Sequence, residues 1–232
     1  MGQTKLRQLE QIQFENVTFQ IEGLDPVLKS VDLDLPMDQT VLVQASDPSH
    51  AVYVLEILAG RVSPQTGKIK WIDDANSENS LTAMPFYEVV SGYFESQRPS
   101  PDVKVAELFK QTGAAPDVIQ AANDHFDLEA VMPSAFRELN YEMQKLMMLI
   151  VSTLRTPQML VLEDPALGLS EDKFLDYLDW IQYWQRQGFL RHVFLTNNHP
   201  TAARHLDTIT MFVDEGLIYI EDDPLYKKIV HF

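Results

Sequence analysis

The stretch TPQMLVLEDPALGLS, residues 156–170, sets four apolar residues, Met159 to Leu162, between Thr156–Pro157 and the acidic pair Glu163–Asp164, which Pro165 follows. An unbroken apolar run of this length describes a short strand covered on both faces, and the proline before it ends whatever helix precedes. The reading therefore predicts an inner strand with two carboxylates at its C-terminal end.

Working outward, apolar residues fall at Leu139, Met143, Leu146, Met147, Ile150 and Leu154, a spacing that keeps one helix face apolar up to Thr156. On the other side Phe174, Leu178, Ile181 and Trp184 mark a second amphipathic helix from about Glu171 to Gln187, with Gly188 placed to end it. Three β-prone runs follow, His192 to Thr196, Ile209 to Val213 and Leu217 to Ile220, the last two joined by a tight turn at Asp214–Gly216. Strands alternating with helices of this length imply parallel pairing through crossovers. The expected class is α/β, with antiparallel strands contributed by the opening.

That opening alternates at Ile12 and Phe14 and again at Val31, Leu33 and Leu35, where Asp32 and Asp34 turn to water. Val41 to Val43 reads as buried on both faces. A loop from Gln44 to His50 is expected next, then one or two helical turns through Val54, Leu55, Ile57 and Leu58 ending at Gly60. Asn76 to Ser80 reads as a polar loop, and Arg98–Pro101 as a boundary before a more helical middle.

The 232 residues suit one domain. Its expected lobes are a core with a β subdomain, 11–97 and 156–232, and a helical subdomain, 98–155. Eighteen lysines and arginines against 34 aspartates and glutamates leave a formal charge of −16, which argues against nucleic acid as a partner. The absence of cysteine excludes disulfides, thiolate metal sites and cysteine nucleophiles, and suits a reducing compartment. The longest purely apolar run, Leu146 to Val151, is far below a bilayer span. MGQTKLRQLE lacks a signal-like apolar core, and Leu6 stands where a myristoylation start needs Ser or Thr. A cytoplasmic chain is expected.

In order and spacing, the strings IQFENVTFQ, PVLKSVDLDLP, LEILAGRVSPQTGKI, TPQMLVLEDPALGLS and DTITMFVDEGLIYIEDD resemble the nucleotide-binding subunit of ATP-binding cassette (ABC) transporters from Ile12 to Pro224. The resemblance implies a P-loop NTPase core with a mixed sheet, an antiparallel β subdomain and a helical subdomain. It also implies assembly with a membrane permease subunit, an intact ATPase subunit or a second copy.

The chemistry that the resemblance implies is eroded. A phosphate loop of the pattern GxxGxGKST uses glycines for close backbone approach, a lysine on the β and γ oxygens and a hydroxyl on magnesium. Here it reads Ala45, Ser46, Asp47, Pro48, Ser49, His50, Ala51, Val52, Tyr53. Ala51 replaces the lysine and Val52 the hydroxyl. Pro48 offers no N–H, His50 adds a side chain, and Asp47 adds negative charge. Losing three or four charge-assisted bonds of roughly 1.5–3 kcal/mol each lowers affinity by about three or more powers of ten.

Other family positions erode in parallel. The adenine-stacking aromatic falls at Ile21, and the signature LSGGQ becomes Leu139, Asn140, Tyr141, Glu142, Met143, where Glu142 is expected to turn negative charge toward a partner's phosphate. The strand-end pair is inverted to Glu163 then Asp164, the turn aspartate is Ser170, and the switch histidine is Asn197, with His199 two residues on as a weak substitute. Gln97 alone looks retained. Its loop, with Arg98 and Asp102, is assigned to partner contact.

The plain readings are a polar, helix-capping strand end for Glu163 and Asp164, and core filling for Met143, Met147, Met148 and Met159. Trp180 and Trp184 are weighed as interface anchors. The aspartates at 73, 74, 222 and 223 are read as solvated rather than metal-binding.

The expectation is a catalytically inactive ABC-type homologue with a structural or regulatory role and no cofactor, ATP and magnesium entering only if it is a divergent ATPase completed by a partner. A third possibility is a free-standing binding protein that uses the vacated cleft around Asp47, His50 and Gln97. No metal site is assigned.

Overall fold

The computed structural model describes residues 8–23, 25–35, 38–73, 78–79, 90–196 and 200–220. Residues 156–170 supply the expected inner strand, β7 (Met159–Leu162), all four residues of which are buried. It lies in a six-stranded sheet with β6 (Val90–Tyr93), β8 (His192–Thr196), β3 (Thr40–Ala45), β9 (Thr208–Asp214) and β10 (Leu217–Ile220), in the order β10-β9-β3-β8-β7-β6. Neighbours pair in parallel except β10, which returns antiparallel on β9. The opening builds a sheet of its own, order β2-β1-β4-β5, from β1 (Leu9–Phe19), β2 (Leu28–Asp34), β4 (Thr66–Asp73) and β5 (Glu78–Asn79). Every pairing within it is antiparallel.

Strand alternation explains the layers. Val41, Val43, Met159, Val161 and Phe194 point into a core shared with the antiparallel sheet and helix α1 (Pro48–Leu58). Leu42, Leu160, Leu162, Val193 and Leu195 point the other way. There they pack with helices α2 (Val105–Gln111), α3 (Pro116–Phe126), α4 (Tyr141–Thr153) and α5 (Glu171–Arg186). A short helix α6 (Pro200–His205) leads into β9.

Several expectations need correction. Helix α1 begins at Pro48 and runs for about three turns, so His50 lies in its first turn and not in a loop. The reason is that Pro48 at the first helical position needs no N–H partner and has its φ preset. Glu78–Asn79, expected inside a loop, pairs with Ile72 and Trp71 as β5. Trp180 and Trp184 are 2% and 6% exposed, so neither anchors a surface contact. They belong instead to an aromatic cluster with Phe126, Tyr183 and Phe189. Asp73 is buried opposite Leu9 rather than solvated, and Asp74, Asp222 and Asp223 lie outside the described residues. Of the four methionines, Met147 and Met159 are fully buried, on opposite sides of the sheet, while Met143 and Met148 are half-buried against the core that holds Met147.

Candidate functional site

The C-terminal ends of β3, β7 and β8 open into a cleft of about 290 Å³. One wall is α1, contributing Pro48, Ala51 and Val52, and the other is the strand-end segments contributing Glu95, Glu163 and Asp164. Ala51 and Val52 thus stand at the cleft, where the resemblance puts a lysine and a magnesium-binding hydroxyl.

The start of α1 is self-capped. Asp47 is the N-cap, its carboxylate accepting the backbone N–H of Ser49 at 2.9 Å and the Ser49 hydroxyl at 2.8 Å. The His50 N–H donates to the Asp47 carbonyl at 2.9 Å, and Pro48 has no N–H to give. Donors that a phosphate would need at a helix N-terminus are therefore already engaged by the chain's own anion or missing. The Ser49 bonds hold the Asp47 carboxyl below the usual range, with a smaller contribution from the charge of His50, so the negative charge persists at neutral pH. Tyr53, at the end of the loop pattern, packs against Phe19 with ring centroids 5.7 Å apart. His50 does not line the cleft.

The opposite wall is a charged network. The Glu95 N–H donates to Glu163 Oε2 at 2.8 Å, and the Asp164 N–H donates to Thr196 Oγ1 at 2.9 Å. Glu95 receives the Tyr93 hydroxyl at 2.9 Å, an Arg98 guanidinium nitrogen at 3.4 Å and the Lys145 ammonium. Lys145 also donates to the Asp164 carbonyl at 2.8 Å and lies 4.5 Å from the centre of the Tyr93 ring. Burial alone raises the Glu95 carboxyl, but the bonds from Lys145, Tyr93 and Arg98 outweigh it and hold the group below the usual range. Burial raises the Asp164 carboxyl, which the charge of Lys145 offsets only in part. Neither Glu163 nor Asp164 caps a helix, because the N-cap of α5 is Ser170. Among the described residues, no group of three or more acidic or histidine side chains is arranged to hold a metal ion.

The signature positions fold back onto the turn after β7. Asn140 caps α4 by accepting the Met143 N–H at 2.8 Å. Glu142 accepts the Ser170 N–H and the Lys173 ammonium, each at 2.7 Å, and these bonds push its carboxyl down to about 2. Its charge is thus spent inside the chain and does not simply project toward a partner. Tyr141, 52% exposed, packs on Gly168, whose φ is +80° and where an added Cβ would meet the Tyr141 ring at 2.3 Å.

Gln97 does not line the cleft. With Arg98, Val103, Leu108, Gln111 and Met148 it lines a separate groove of about 310 Å³ between the strand ends and the helical region. Asp102 lies outside that groove, ion-paired with Arg137. The vacated-cleft possibility named Asp47, His50 and Gln97 together, and the structure does not gather them. Asn197 and His199 lie outside the described residues. Glu95, at the candidate cleft, and Lys145, paired with it, are residues that the sequence reading does not single out. The one available signal was a lysine set beside the apolar Leu146 and Met147 of a core helix.

The capped start of α1, Ala51 and Val52 do not supply the lysine, the hydroxyl or the free N–H groups that the resemblance implies for a magnesium–nucleotide site. A larger groove of about 700 Å³ lies at the other ends of the strands, between 112–115, 154–158 and 188–191, away from all of these groups.

No protein-family model matches the chain. It is 26% identical over 149 residues to the cytochrome c biogenesis ATP-binding export protein CcmA of Cupriavidus necator, covering 63% of this chain and 66% of that protein. A putative ABC transporter ATP-binding protein of Bacillus cereus is 23% identical over 221 residues, covering 90% of this chain and 39% of its own length. The chain thus spans just under two thirds of the first relative and well under half of the second. Among solved structures, an ATP-binding subunit of an ABC transporter superposes with a TM-score of 0.77 at 15% identity, covering 95% of this chain and 94% of the other. The cassette MJ0796, in a dimeric post-hydrolysis state bound to ADP and Pi, superposes with a TM-score of 0.73 at 14% identity, over 90% and 97%. The chain has the ABC ATPase fold, and the resemblance read from its strings is met in both its relatives and its structural neighbours.

Proposed function

We propose that this chain, with the fold of an ABC transporter ATP-binding subunit and relatives among such proteins, is a cassette that does not turn over nucleotide and serves an ABC-type assembly as a structural or regulatory subunit. The carrying observation is Asp47. Its carboxylate takes the first free donor of α1, at the place where a triphosphate would need cations and open N–H groups. Ala51 and Val52 beside it supply neither charge nor hydroxyl.

In this reading the work is contact. The groove lined by Gln97, Arg98 and Met148 takes a segment of a membrane permease subunit, placing the chain in the cytoplasm at the inner face of the membrane. Among the described residues no helix is long and apolar enough to cross a membrane, so attachment there would run through the partner. An intact ATPase subunit is the favoured second partner over another copy, because two chains of charge −16 repel.

Isothermal titration with Mg-ATP tests the proposal. No saturable heat is expected into the millimolar range, and a dissociation constant below about 0.1 mM overturns it. Glu163 and Asp164 both line the cleft, which favours one second reading, a divergent ATPase completed by a partner. Nucleotide turnover that appears only with the partner present and disappears in Glu163→Gln would establish it.

A further inference from the structure

Lys145 is the least expected residue of the charged network. It belongs to α4, the helix that begins in the eroded signature, yet its side chain is 1% exposed. A buried ammonium is costly unless every strong partner is in place. Here three are: the Glu95 carboxylate just after β6, the Asp164 carbonyl just after β7, and the face of the Tyr93 ring. The same lysine therefore touches the ends of two core strands from a helix of the other layer. It sits beside the three carboxylates that the cleft exposes, Glu95, Glu163 and Asp164.

We propose that Lys145 is a built-in counter-ion for Glu95 and that it fastens α4 to the ends of β6 and β7 in one arrangement without a nucleotide. The inference rests on the reading that the cleft holds no nucleotide. It assigns Lys145 a positioning role: with Lys145 paired, the Glu95 carboxylate needs no external cation, and the helix carrying Tyr141 and Glu142 keeps its place against the core. Glu142, tied to Ser170 and Lys173, fastens the start of the same helix to the turn beyond β7.

Amide hydrogen exchange on the full chain tests this, with Lys145→Met, which keeps most of the unbranched side chain without its charge, and Lys145→Met/Glu95→Gln. In Lys145→Met the amides of residues 93–97, 163, 164, 166 and 167 are expected to exchange at least about tenfold faster. The double variant is expected to melt higher than Lys145→Met, because no orphaned carboxylate remains, while the same amides stay fast. Unchanged exchange in Lys145→Met, or equal melting temperatures for the single and double variants, overturns the fastening role. If Lys145→Met fails to fold, Glu95→Gln alone must accelerate the same amides, and unchanged exchange there overturns the proposal. Wild-type exchange is expected to be the same with and without millimolar Mg-ATP. Slowing by Mg-ATP would overturn the nucleotide-free reading and the counter-ion claim, while the variants still decide whether Lys145 fastens the layers.

Discussion

The Asp47 carboxylate lies 2.9 Å from the Ser49 backbone nitrogen and 2.8 Å from the Ser49 hydroxyl, so the first turn of α1 carries its own anion. The arrangement has two consequences. It stabilises the helix by satisfying a donor that would otherwise rely on water, and it sets a negative charge against any phosphate approaching the helix start.

Asp47→Ala separates those effects. The variant is expected to lose the cap and melt about 2–4 °C lower, yet still show no saturable Mg-ATP binding, because Ala51 and Val52 still supply no cation or hydroxyl. Circular dichroism melts and a nucleotide titration check the two halves. An unchanged melting temperature would remove the capping argument.

Glu142 is expected to stabilise the native chain through charge. Its carboxyl is pushed down to about 2 by Lys173 and the Ser170 hydroxyl and N–H. The contribution is therefore present above the ordinary carboxylate pKa of about 4.3 and fades as the pH falls from there toward that depressed value. Glu142→Gln should melt lower than the parent at neutral pH in dilute salt, with the gap closing in molar salt and at low pH. A gap that ignores both salt and pH would mean that the packing of the side chain matters and its charge does not.

Gly168 and Tyr141 should be coupled. Gly168→Ala forces a side chain onto a φ of +80° and a Cβ to within 2.3 Å of the Tyr141 ring, for an expected loss of about 1–3 kcal/mol. Adding Tyr141→Ala is expected to recover the part due to the ring and leave the backbone part. A double-mutant cycle in denaturant measures the coupling, and strict additivity would show that the two residues do not share an interaction.

Acid should unfold the chain partly through His192. The ring is fully buried, accepting the Asp38 N–H at Nδ1 at 2.9 Å, and Nε2 lies 3.3 Å from the Leu9 carbonyl. Burial pulls its pKa down to about 4, against the opposing pull of the Leu9 carbonyl. A histidine depressed in the native state keeps its full contribution above about 6.5, the unfolded value, and loses it as the pH falls through the window down to the native value. The loss across that window is on the order of 3 kcal/mol. Denaturant midpoints measured through this range should flatten in His192→Gln, and an equal slope in both proteins would sink the assignment.

Much of the architecture is legible along the chain because it rests on local periodicity. Met159–Leu162, the helix over Tyr141–Thr153 and the helix over Glu171–Arg186 emerge where their apolar spacing puts them. The start of α1 is not legible in this way, because Pro48 breaks helix interiors but suits a first turn. Trp180 and Trp184 were candidates for a surface because aromatic content does not reveal which face of a helix is covered. That Ala51 and Val52 bring neither charge nor hydroxyl to the cleft could be read from residue types alone, since folding does not change the chemistry of a side chain.

The sequence by itself determined the order of elements and the α/β class, which depend on neighbours within a few residues. Only the tertiary structure decided that Glu142 is spent on Ser170 and Lys173, and that Lys145 meets Glu95 across fifty positions of chain. Charge pairing between distant segments depends on distance in space and on burial, which strengthens attraction by excluding water, and neither is written in the spacing of residues along a strand or helix.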